Sequence, residues 1–124
     1  MVIRINDTLR NAMTACVNDS GTLYVRTGAQ PASANSAASG TLLVQMDGLT
    51  FTAPTTGSKS LSATVPGTAV AAGTAGWGRY SDGTINVDGS VGVAGSGADF
   101  IISSTAIAIN DVVTVQTMSF TTPA

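Results

Sequence analysis

Seven aspartates supply every acidic side chain in this 124-residue chain, which has no glutamate and no histidine. Two pairs of them, Asp82 with Asp88 and Asp99 with Asp111, are the material from which a glycan-hydrolysing pair of carboxylates would be built. The same residues have a simpler account. Asp19, Asp47, Asp82 and Asp88 each stand within two residues before a glycine, the position of a turn former. Asp82, Asn86 and Asp88 could offer oxygens to calcium, but the spaced acidic loop closing on a glutamate is missing. Acyl transfer needs a base beside its Ser or Thr nucleophile, and the chain has no histidine to serve. One cysteine and no histidine leave neither a disulfide nor a Cys/His metal cluster within the chain. The glycines of GSVGVAGSGAD lack the Lys-Ser/Thr of a phosphate loop and read as β-turn residues. The chain is therefore expected to be no enzyme and to carry no catalytic, cofactor or metal site. The contact residues that remain are aromatic: Trp77, Tyr80 and Tyr24 form a candidate partner-contact or sugar-stacking set, against which Trp77 has an alternative as core packing.

The elements that must position these residues are mostly strands. Leu9, Ala12, Met13, Cys16 and Val17 recur at helical spacing and predict one short amphipathic helix over about 6–18. Asn6 is its cap, Asp7 suits its positive end, and Asn18-Asp19-Ser20-Gly21 stops it. Cys16 on that apolar face reads as a small, inert hydrophobe. From Thr22 the period is two: Leu23 and Val25 share one face, Tyr24 and Arg26 the other. Residues 31–40, PASANSAASG, read as a loop with one helical turn over Ala34 to Ala38. Leu42, Val44 and Met46 mark a second strand, Pro54 to Ser60 an exposed loop, and Pro66-Gly67 a turn. Asp82-Gly83 predicts a hairpin between Trp77 to Tyr80 and Thr84 to Val87, with a second turn or bulge at Asp88-Gly89. Segments 100–103, 106–109 and 112–120 close the pattern, with Val113 and Val115 facing away from Val112, Thr114 and Met118. This predicts a single mainly β domain over 1–124, an antiparallel β-sandwich or barrel-like fold over about 22–121 behind the N-terminal helix.

Composition narrows the partners. The chain is 44% hydrophobic but only 10% charged, against roughly 25% charged in ordinary soluble domains. Its mean hydropathy is +0.32. Such a surface has little electrostatic protection against association, so an assembly is expected to cover part of it. The net charge is −2 and the five cations, Arg4, Arg10, Arg26, Lys59 and Arg79, are scattered, which speaks against nucleic acid. The start of the chain alternates apolar and charged residues and lacks a long apolar run, so neither a signal peptide nor a membrane partner is expected.

Two blocks, IRINDTLRNAMTACVNDSGTLYVRTGAQPASANSAASGTLL and GTAGWGRYSDGTINVDGSVGVAGSGADF, resemble a family of small tailed-bacteriophage virion proteins over nearly the whole chain. Similar proteins commonly carry a bulky residue after the Trp of GTAGW, where this chain has Gly78. The resemblance implies a capsid decoration, cement or minor capsid protein on the capsid exterior, assembled in the host cytoplasm. It implies trimers at threefold positions bound to the major capsid protein, and no catalytic residues or cofactors. A tail- or fibre-associated glycan-binding protein is the alternative, and a glycan hydrolase a distant one.

Overall fold

The structure, a computed structural model, describes residues 4–17 and 20–121. Among these residues one helix, α1 (Asp7–Ala15), precedes ten strands: β1 (Gly21–Arg26), β2 (Leu42–Leu49), β3 (Ser58–Ser60), β4 (Val65–Thr68), β5 (Gly73–Thr74), β6 (Trp77–Ser81), β7 (Asn86–Gly92), β8 (Phe100–Ile102), β9 (Ala106–Ile107) and β10 (Val112–Thr121). The main sheet runs β2-β1-β6-β7-β8-β10-β3, with β4 also on β10 and β5-β9 apart. All pairings are antiparallel except β7 with β8. The sheet curls into a half-barrel, the barrel-like arm of the expectation. Its two ends approach where Phe51 bridges Leu61 and where Thr52 N donates to Ser60 O and Ser62 N to Thr50 O.

Alternation decides what faces the inside of the curl. Leu23 and Val25 of β1, Val44 and Met46 of β2, Tyr80 of β6, Phe100 and Ile102 of β8, and Val113, Val115 and Met118 of β10 are buried in one cluster. Each such side chain contributes roughly 1.5–3 kcal/mol on burial. Met118 joins Val113 and Val115 inside, against strict alternation, because the β10–β8 register shifts between Val115 and Thr117. That extra residue exchanges the faces of everything beyond it. A similar shift between Val25 and Arg26 lets Leu43 as well as Val44 and Met46 point inward from β2.

Three turn or loop assignments change. Pro66-Gly67 lies inside β4, opposite Thr114 and Val113. A Cβ on Gly67 would stand 2.3 Å from Gln45 O, so glycine permits β4 to lie against β2. Asp88-Gly89 sits in mid-β7 opposite Arg79 and Gly78, not at a turn. Within the expected loop at 54–60, Ser58–Ser60 is strand β3 and Lys59 is buried. The hairpin forms as expected, although its connection spans 82–85, with Gly83 at φ +96°. In place of a helical turn over 34–38 there is one turn over 33–36, closed by Ser36 N donating to Ser33 O.

Asn6 caps α1, its Oδ1 accepting from Leu9 N at 3.0 Å. The helix ends at Ala15, and Asn18-Asp19 of the expected stop lie outside the described residues.

Candidate functional site

The three aromatic residues are not brought together. Trp77 and Tyr80 are three apart on β6 and so face opposite sides of the sheet, and both are 0% exposed. Tyr80 points into the curl, where its hydroxyl accepts from Gly21 N at 3.1 Å. There its ring meets Phe51 at 5.3 Å and Phe120 at 5.8 Å between centroids. Trp77 lies on the outer side, outside the main cluster, with the Arg79 guanidinium 5.4 Å from its ring centre. Tyr24 is half-buried on that same outer side, paired across strands with Arg79. Neither Trp77 nor Tyr80 offers a ring face to solvent.

The aspartates considered for chemistry are engaged in holding backbone or a cation. Asp82 Oδ1 accepts from Thr84 N at 2.9 Å and Ile85 N at 2.8 Å, which fixes the hairpin. Asp99 Oδ2 accepts from Ser90 N at 3.0 Å and Ser90 Oγ at 3.1 Å. Asp111 Oδ2 accepts from Ala108 N at 2.9 Å. Asp88 takes both prongs of Arg79, Nε at 2.6 Å and an Nη at 2.9 Å. That hydrogen bonding raises the Arg79 pKa further, against the burial that opposes it. Among the described residues no three His, Cys, Asp or Glu gather as a metal site would require, and no helix is long and apolar enough to cross a membrane.

What the fold does present is an inverted helix. α1 turns Thr14 inward, 1% exposed, while Leu9 is 48% and Met13 45% exposed. Ala12 and Cys16, on the same stripe, are exposed too, whereas Val17 packs against the core and Met13 borders a recess of about 290 Å³ with Val87, Phe100 and Phe120. Cys16 is thus a surface thiol and not a packed hydrophobe.

The cause is the polar ground beneath the helix. Thr14 Oγ1 donates to Gly57 O at 2.9 Å, and Asn11 Oδ1 accepts from Gly57 N at 2.7 Å. Lys59 Nζ donates to Val17 O and stands 5.1 Å from the centre of the Phe51 ring. These bonds satisfy a backbone turn whose Gly57 has φ +78° and no room for a Cβ beside Arg10. Burying Leu9 and Met13 there would break these bonds and set apolar side chains against polar backbone. The helix is pinned by hydrogen bonds and leaves Ala12 and Cys16 exposed and Leu9 and Met13 about half exposed.

A second apolar patch forms elsewhere. Val70, Ile109 and Val112 are 61%, 59% and 67% exposed. They are drawn together by Val112 pairing with Thr68 and by the Ala69 N to Asp111 O and Asn110 N to Ala69 O bonds.

Sequence reasoning passed over Lys59 and the Arg79–Asp88 pair. The pair had a usable signal: each residue stands two positions beyond the hairpin's strand ends at Ser81 and Asn86, so extending the register would have set them opposite one another. Lys59 had none, since its burial depends on where α1 comes to rest. Compared with family models, curated proteins and solved structures, the chain matches none.

Proposed function

We propose that this chain is a structural protein of a tailed-phage virion, a decoration protein that binds the outside of the assembled capsid and stabilises it. The observation that carries the reading is the outward apolar stripe of α1, Leu9, Ala12, Met13 and Cys16, on a chain that is only 10% charged. An apolar stripe held in water by polar pins costs free energy until a partner covers it. The Val70, Ile109 and Val112 patch offers a second contact, which suits a protein that bridges neighbours. The resemblance of the two sequence blocks to phage virion proteins supplies the class of partner, the major capsid protein, and the trimeric arrangement at threefold positions.

The mechanism needs no chemistry. A protein that binds only the mature shell adds its binding free energy to that state, about 2.7 kcal/mol per site at a free concentration 100 times Kd. A glycan-binding role on the tail gains no support from Trp77 and Tyr80, whose rings are buried. The test is co-sedimentation of the purified protein with mature capsids that lack it, using wild type and the Leu9→Glu/Met13→Glu variant. Binding by wild type and loss in the variant, with an unchanged circular dichroism spectrum, is the expected result. Equal binding by both would remove the stripe from the account.

A further inference from the structure

The outer side of β1, β6 and β7 holds a recess of about 230 Å³ that the proposed shell contacts do not use. It is lined by Tyr24, Arg26, Ala38, Arg79, Ser81 and Asn86. Two of the chain's five cations meet here, and among the described residues no carboxylate lines the space. The register places them: Tyr24 pairs with Arg79, and Ser81 with both Thr22 and Asn86, so their side chains share one side of three adjacent strands. Segment 28–40 folds over this side, where Asn86 Nδ2 donates to Ala34 O at 3.4 Å and an Arg26 Nη to Gly40 O at 3.3 Å.

Arg26 Nε is buried and has no hydrogen-bond partner among the described residues, as is the case for Nε1 of its cross-strand neighbour Trp77, whereas Arg79 is matched prong for prong by Asp88. A buried guanidinium N–H left without an acceptor is costly, and a planar carboxylate is the acceptor that a guanidinium fork fits best. Formal charges agree. Arg26 and Arg79 with Asp88 leave one positive charge, which a monoanion neutralises and a dianionic phosphate would overshoot. The volume suits a carboxylate with a few carbons and lies below the roughly 300 Å³ at which ordinary ligand pockets begin.

We propose that this recess binds a single carboxylate, held by Arg26 with Tyr24, Ser81 and Asn86 as flanking donors. The carboxylate comes either from a small free acid or from an aspartate or glutamate side chain of a protein partner. The proposal does not rest on the virion reading.

The test follows the arginine Nε–Hε resonances of ¹⁵N-labelled protein while sodium acetate, and separately an N-acetyl-glutamyl amide peptide, is added against sodium chloride at equal ionic strength. The Arg26 resonance is expected to shift saturably with a carboxylate while that of Arg10 stays still. Arg26→Gln is expected to weaken binding about 10-fold or more, read from backbone amides of Tyr24 and Asn86. Tyr24→Phe, which keeps the ring, should weaken it by a smaller factor. Saturation by acetate identifies a free acid as sufficient; saturation by the peptide alone assigns the site to a partner's side chain. An Arg26 resonance that moves no further with either carboxylate than with chloride overturns the proposal. Wild-type protein carries the decisive arm, so a variant that fails to fold does not blunt it.

Discussion

Thr14→Val tests the inverted helix directly. The two side chains have nearly the same shape and similar helix propensity, so the substitution removes a hydroxyl and little else. Thr14 is 1% exposed, and its Oγ1 donates to Gly57 O and lies 2.9 Å from Arg10 O as well. Losing the donor removes a buried hydrogen bond, a cost of about 1–2 kcal/mol. With an unfolding entropy of roughly 2.1 cal/mol/K per residue, that is a fall of about 4–8 °C in Tm. Met13→Gln is the companion. Met13 is 45% exposed, and glutamine keeps an unbranched chain of similar helix propensity, so the expected cost is under about 1 kcal/mol. The ordering is the informative quantity: a polar-to-apolar change inside should hurt more than an apolar-to-polar change one residue earlier. Guanidinium denaturation followed by far-ultraviolet circular dichroism measures both from their midpoints. If Met13→Gln proves the more damaging, the helix sits with its apolar stripe against the barrel and the reasoning fails.

Other substitutions probe the rest of the frame. Asp88→Ala strands the Arg79 guanidinium, only 8% exposed, and should cost about 3–5 kcal/mol in denaturant melts, while Arg79→Met/Asp88→Leu together should recover most of that loss. Gly67→Ala forces β4 off the Gln45 carbonyl and should cost about 1–3 kcal/mol by the same assay. Cys16 should react with a thiol reagent in native protein, at the rate of an exposed cysteine, and protection until denaturant is added would place it inside.

The strands and the hairpin were legible because their signals are local. Alternation in β1 and the Asp82-Gly83 turn each depend on a few neighbouring residues, and both are found where the sequence puts them. What was not legible depends on distant chain. Gly67 is a strand residue because Gln45 lies against it, and Lys59 is buried because α1 comes to rest above it. The single-residue shift before Thr117 that turns Met118 inward leaves no mark in composition. The apolar period of α1 was real, but periodicity reports which residues share a face and not which way the face points. At the candidate site, the aromatic expectation treated Trp77 and Tyr80 as neighbours, while a separation of three on a strand sends them to opposite sides. Arg26 gained its significance only when segment 28–40 folded over it.

The most direct measurement on the central claim is cryo-electron microscopy of mature capsids, prepared without this protein and then mixed with it, together with the temperature at which the shells open. The account predicts ordered density at threefold positions, with the Leu9 and Met13 side of α1 against the shell or a neighbouring copy, and a higher opening temperature. Bare threefold positions and an unchanged opening temperature would contradict it.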